Sequence, residues 1–240
     1  MNFTQGEIIC IDKPYGMSSF GALARVRYLI SRHLGVKRVK TGHAGTLDPL
    51  ATGVLIICTG RKTKMIEELQ AHTKEYTATL KLGATTPSYD CEHTVDFTYP
   101  TAHITRRLIE DTLQRFVGEI HQIPPSYSAC KVGGKRAYEL MRKGHDVELK
   151  PKVLRIDEIE LTSFNPATMQ VGIRVVCGKG TYIRALARDI GTAIGSGAYL
   201  TSLRRTRVGS VNVTDCITLD AFPAWLEQQT IEDNITGGDK

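Results

Sequence analysis

No apolar run in the 240 residues is longer than Val54–Cys58, far short of the roughly 20 residues a membrane span needs. No Cys-x-x-Cys pair occurs either. The six cysteines (Cys10, Cys58, Cys91, Cys130, Cys177 and Cys216) are dispersed, a pattern that fits reduced cytosolic thiols better than a disulfide framework or a zinc site. The seven histidines are scattered without a His-Glu-x-x-His motif, so no metal centre is expected. Two glycine-rich stretches fall short of a phosphate cradle. In Gly178-Lys179-Gly180 a glycine follows the lysine, and in Gly133-Gly134-Lys135 an arginine does; neither supplies the Ser or Thr hydroxyl such a loop places on magnesium. No cofactor is therefore expected. Met1–Gly6 lacks a basic segment leading into an apolar one, so a cytoplasmic location is expected. There is no internal repeat and no low-complexity tract.

Acidic residues are also scarce over most of the chain. Net charge is +6, but the first 207 residues hold 30 Lys or Arg against 19 Asp or Glu, or +11. Lys13 to Leu47 contains seven bases and no acid. Further basic clusters stand at Arg61, Lys62 and Lys64, around Lys131 to Lys143, and at Arg204, Arg205 and Arg207. Such clusters between apolar segments point to a polyanionic partner, nucleic acid above all.

With 41% hydrophobic and 23% charged residues, the chain is an ordinary globular one. Ser18 or Ser19 caps a helix whose face carries Leu23, Val26 and Ile30, with Gly35 as its stop. Val54–Cys58 reads as a buried strand, and Tyr76, Ala78, Leu80 and Leu82 alternate as in a half-buried one. Residues 84–102 read as a loop. A helix with Ile109, Leu113, Phe116 and Val117 on one face follows, stopped by Gly118. Met169 to Cys177 alternates again and leads into a helix striped by Ile183, Leu186, Ala187, Ile190 and Ile194. Mixed without strict alternation, these elements indicate an α+β fold. The stretch after Trp225 reads as frayed.

The most distinctive segment is Gly42-His43-Ala44-Gly45-Thr46-Leu47-Asp48-Pro49-Leu50-Ala51-Thr52-Gly53. Glycines and a proline ahead of a buried strand make a tight loop, and Pro49 holds Asp48 extended. Two readings fit Asp48: it caps its own turn, or it presents a carboxylate into a cleft.

This segment resembles the catalytic-aspartate motif of the TruB family of pseudouridine synthases. Other blocks agree in the same order. Asp12-Lys13-Pro14-Tyr15-Gly16-Met17-Ser18-Ser19 is similar to the family's Lys-Pro motif, and Thr73-Lys74-Glu75-Tyr76 to its tyrosine block. Pro124-Pro125-Ser126-Tyr127-Ser128-Ala129-Cys130-Lys131 is similar to its Pro-Pro motif, Lys179-Gly180-Thr181-Tyr182-Ile183-Arg184 to its arginine motif, and Leu203-Arg204-Arg205 to its late leucine. The resemblance spans about Ile8 to Val208.

It implies a pseudouridine synthase fold, a mixed and largely antiparallel sheet with flanking helices and a central catalytic cleft. The implied activity is isomerisation of uridine to pseudouridine at position 55 in the T loop of tRNA, without cofactor or metal. Asp48, Arg184 and Tyr76 match the catalytic residues. Asp48 serves as nucleophile at the sugar or as the base that removes a sugar proton, and both routes stay open. A buried carboxylate needs a nearby cation to stay ionised, the role implied for Arg184; its bland alternative is a solvated helix residue. Tyr76 is implied to stack on the base, against plain core as the alternative. Tyr182 and Leu203 match residues lining the uracil pocket, against plain core as the alternative, and His43 one that props the disrupted loop, against a loop histidine bonded to backbone. Lys64 and Lys131 are candidate RNA contacts, the latter within an RNA-gripping insertion near 124–152. The expected organisation is a catalytic domain over 1–210 and a short acidic segment over 211–240 with no PUA domain. The partner is the tRNA T stem-loop, engaged by a monomer. A non-catalytic RNA-binding module on the same fold is the alternative.

Overall fold

The computed structural model describes residues 1–128, 130–132, 135–136 and 149–232. In chain order the elements are β1 (Ile8–Lys13), α1 (Ser19–His33), β2 (Thr41–Ala44), β3 (Ala51–Thr59), a 3₁₀ turn (Gly60–Met65), α2 (Ile66–Ala71), β4 (Lys74–Leu82), β5 (Ala84–Thr85) and β6 (Phe97–Thr98). Then come α3 (Arg106–Gln114), β7 (Gly118–Gln122), β8 (Lys131–Val132), β9 (Lys135–Arg136), β10 (Lys152–Asn165) and β11 (Gln170–Cys177). The chain continues through α4 (Ile183–Ile194), β12 (Ala198–Val208), β13 (Val211–Asn212), β14 (Ile217–Thr218) and α5 (Phe222–Glu227). The chain forms two compact units, Met1–His72 with Arg204–Lys240, and Thr73–Leu203.

In the first unit the strand order is β14-β1-β3-β12, with β2 beside β3 and β13 beside β12. β1 runs antiparallel to β3, Ile11 facing Leu55, and parallel to β14, Ile11 facing Ile217. The apolar run of β3 is explained by its two covered faces. Leu55 and Ile57 pack with Ile9, Ile11 and the α1 residues Ala22, Leu23, Val26 and Ile30, closed by Phe222 and Leu226 of α5. Val54, Ile56 and Cys58 point the other way, onto Ala44, Leu69 and Val208. Each fully buried aliphatic side chain there contributes about 1.5–3 kcal/mol. Ser18 caps α1 as expected, its hydroxyl accepting from the Gly21 N–H at 3.0 Å, and Gly35 takes φ +66° just past the end. The residues after Trp225 are not frayed up to Glu232: the Glu232 N–H donates to the Met1 carbonyl at 2.9 Å. Residues 233–240 lie outside the described part. Folding also brings Cys10 beside Cys216, whose thiol lowers the Cys10 pKa from its ordinary value. Burial pushes the Cys58 thiol up to about 11.

In the second unit the order is β12-β4-β11-β10-β7. The β4–β11, β11–β10 and β10–β7 pairs are all antiparallel. The α+β class and the largely antiparallel sheet expected from the sequence are both found. Lys74, Tyr76, Ala78, Leu80 and Leu82 of β4 are buried on alternate positions, and α4 buries Ile183, Leu186, Ala187, Ile190 and Ile194. Two expectations shift. α3 stops at Gln114, so Phe116 is only partly buried and Val117 is exposed, and Gly118 with φ +99° opens β7 instead of ending the helix. Residues 84–102 are not plain loop: β5 and β6 pair there, Ala84 facing Thr98, and Ser88 and Asp90 between them are buried.

Candidate active site

Asp48 sits on the loop between β2 and β3, partly exposed. Its backbone is held by its own turn, the Ala51 N–H donating to the Asp48 carbonyl at 3.1 Å. The Ser19 hydroxyl meets both groups of the preceding residue, accepting from the Leu47 N–H at 2.8 Å and donating to the Leu47 carbonyl at 2.9 Å. The Pro49 carbonyl accepts from the Gly16 N–H at 2.9 Å and from Lys13 Nζ at 3.4 Å. Lys13 is fully buried and donates also to the carbonyls of Pro14 at 2.8 Å and Met17 at 2.6 Å. Burial lowers its pKa to about 8, a shift opposed by the Asp48 carboxylate and reinforced by the Arg205 guanidinium. Asp48 thus lies in the field of the buried Lys13 ammonium on β1, which also feels the Arg205 guanidinium on β12.

Those cations are seated by the sheet. Arg204 clamps Asp12, NH1 to Oδ1 at 3.2 Å and NH2 to Oδ2 at 2.7 Å, and bonds Thr52 Oγ1 at 3.2 Å. Arg205 is 2% exposed and donates to the carbonyls of Val54 at 2.8 Å and Gly45 at 3.1 Å. Gly53 is glycine for a reason: φ is +105°, and a Cβ there would lie 2.1 Å from the Arg205 carbonyl oxygen. His43 lies on β2 opposite Ile57. Lys64 is exposed on the 3₁₀ turn with Arg61 and Lys62. Lys131 opens β8; its side chain, and much of the 124–152 insertion, lie outside the described residues.

In the second unit Arg184 is not a solvated helix residue. It is 4% exposed at the start of α4, donating to the carbonyls of Ser88 at 3.1 Å and Tyr127 at 2.9 Å. Its Nε lies 3.7 Å from Asp90 Oδ2. Asp90 is oriented in turn by the Ser88 hydroxyl at 2.6 Å and the Glu92 N–H at 3.0 Å. Between them Tyr89 takes φ +60°, uncommon for a residue with a side chain. Tyr182 caps α4, its N–H donating to Gln122 Oε1 at 2.9 Å and its carbonyl accepting from Gln122 Nε2 at 3.2 Å. Tyr76 is buried on β4 opposite Val175. Leu203, on β12, is only half-buried.

Sequence reasoning missed Ser19 as more than a helix start, and it missed Arg205, Ser88, Asp90 and Gln122. The Ser88-Tyr89-Asp90 stretch has no periodicity, so nothing local marks Asp90 as the partner of an arginine on a distant helix. Arg205 was visible only as one of the basic cluster Arg204, Arg205 and Arg207, with nothing local to show that it alone of the three is buried. Among the described residues no cluster of three or more His, Cys, Asp or Glu side chains could hold a metal ion, and no helix is long and apolar enough to cross a membrane.

Known proteins match this arrangement along nearly the whole chain. Residues 31–183 fit the model of the TruB family pseudouridylate synthase N-terminal domain, and residues 184–236 that of the tRNA pseudouridylate synthase B C-terminal domain. The tRNA pseudouridine synthase B of Phocaeicola vulgatus is 64% identical, covering 98% of this chain and 99% of that protein. Its counterpart in Flavobacterium johnsoniae is 49% identical, over 94% and 98%. Among solved structures, a Cbf5-Nop10-Gar1 complex contains a chain that is 28% identical with a TM-score of 0.67. That match covers 95% of this chain and 57% of the solved one, so the chain spans little more than half the length of that neighbour. Fold, aspartate loop and relatives agree, and the chain belongs to the TruB family of pseudouridylate synthases.

Proposed function

We propose that the protein isomerises uridine to pseudouridine in tRNA, at position 55 of the T loop. The reaction breaks the N-glycosidic bond, turns the uracil while it is held, and rejoins it through C5. Asp48 carries the chemistry at the sugar, as nucleophile or as proton acceptor. Arg184 supplies the positive charge the reacting carboxylate needs, and Tyr76 the flat face on which an extruded base stacks. Tyr182 and Leu203 line the uracil pocket, where excluding water strengthens each charge interaction. His43 props the opened loop, while Lys64 and Lys131 contact phosphates and add affinity without reading sequence. Residues 1–210 form the catalytic domain with its RNA-gripping insertion, and 211–240 a short C-terminal segment. The acting form is a monomer in the cytoplasm.

The observation that supports the reading most is Asp48 itself, a carboxylate on a loop pinned through its backbone and in the field of the buried Lys13 ammonium. The test is incubation with an unmodified tRNA transcript, chelator present and no cofactor added, with pseudouridine mapped by position. A single new pseudouridine at position 55 is expected. Modification at another site would break the substrate assignment. Tight binding without modification would replace the reading by a non-catalytic RNA-binding module.

A further inference from the structure

The loop that carries Asp48 is held at four carbonyls, and two of the side chains that hold it lie outside the motif that bears the aspartate. Arg205 ties the start of the loop, Gly45, to Val54 of the strand β3 that follows it. Ser19 grips both backbone groups of Leu47, the residue before Asp48. Both are 2% exposed. Burying a guanidinium is costly, and among the described residues no carboxylate pairs with Arg205, so its donors are directed at loop carbonyls. The backbone of Arg205 also packs against Gly53, with no room for a Cβ between them. The grip therefore comes from both the side chain and the main chain of one residue.

We propose that Arg205 and Ser19 are positioning residues of the isomerisation: by holding the carbonyls of Gly45, Leu47 and Val54 they set the direction in which Asp48 presents its carboxylate. This rests on the assignment of Asp48 to catalysis. Neither side chain touches the substrate. Their effect falls on the rate of the bound complex and not on affinity, because a displacement of about 1 Å in a reacting group costs about 100-fold in rate.

The experiment compares wild type, Ser19→Ala, Arg205→Lys and Phe222→Leu by single-turnover rate at saturating tRNA, by tRNA dissociation constant and by melting temperature. Phe222 is buried in the α1 core and serves as a destabilised control that leaves the loop's bonds intact. Ser19→Ala and Arg205→Lys are expected to slow the step by about 10- to 100-fold, with the dissociation constant within about threefold of wild type. Phe222→Leu is expected to lose melting temperature but keep its rate. Hydrogen exchange supplies a readout independent of turnover: the Ala51 amide, which bonds the Asp48 carbonyl and touches neither side chain, is expected to exchange faster in both loop variants. Rates within about threefold of wild type in the folded variants would overturn the proposal while leaving the function intact. So would losses that merely follow melting temperature, as in Phe222→Leu. Should Arg205→Lys fail to fold, Ser19→Ala decides alone. A wild type that makes no pseudouridine would instead overturn the functional reading, and the positioning role with it.

Discussion

At the scale of single residues the site turns on charge held in a confined place. Asp48→Asn keeps nearly the same shape and removes the charge. Turnover on tRNA is expected to fall by at least about 1,000-fold, with the dissociation constant changed by less than about threefold; pseudouridine yield and filter binding measure the two. Arg184→Lys replaces a planar fork reaching two carbonyls and Asp90 by a point charge, and a loss of about 100-fold or more in single-turnover rate is expected. Lys13 makes a prediction in pH. Its folded pKa is about 8, below that of an unfolded lysine at about 10.4. Between those values the unfolded chain binds more protons, so this group makes stability rise with pH. Below pH 8 the cost of its buried ammonium is fully present; above about 10.4 it is gone. Measured by denaturant unfolding from pH 7 to 10, the stability of wild type relative to Lys13→Met is expected to rise by about 1–3 kcal/mol. A constant difference would mean that Lys13 does not titrate there.

At the scale of elements, close backbone approaches are what the fold tolerates least. Gly53→Ala drives a methyl into the Arg205 backbone at a φ suited to glycine, and a loss of more than about 3 kcal/mol is expected, seen as a lowered melting temperature or no folded protein. Ser18→Ala, by contrast, removes one cap bond from α1 and should cost only about 1 kcal/mol. Several elements were legible beforehand because their periodicity is local. The alternation of Tyr76 to Leu82 and the stripe from Ile183 to Ile194 record a buried face, and the exposed Ser18 cap records a helix start. The end of α3 was not legible, since Phe116 and Val117 continue a helical pattern while the backbone turns at Gln114 and enters β7. Nor was the order in residues 84–102, where Ser88 and Asp90 are held by side-chain hydrogen bonds that leave no periodic trace.

Across the whole molecule, the excess positive charge makes a prediction about RNA binding. Arg61, Lys62 and Lys64 stand exposed together, and tRNA affinity should fall steeply with salt, the log–log slope shrinking by about one for Lys64→Ala. A flat salt response would mean that these clusters do not touch phosphates. The basic character and the α+β class were readable from the chain alone, and the ordered motif blocks around Asp48, Tyr76 and Arg184 carried the family resemblance. Composition, short-range periodicity and motif spacing are properties of neighbouring residues, so they survive without a fold. What the tertiary structure decided is which distant groups satisfy one another. It joined Arg184 to Asp90, Cys10 to Cys216, and Arg205 and Ser19 to the aspartate loop. A buried polar group must find a partner or bear its desolvation cost, and where that partner lies along the chain is set by how strands and helices pack.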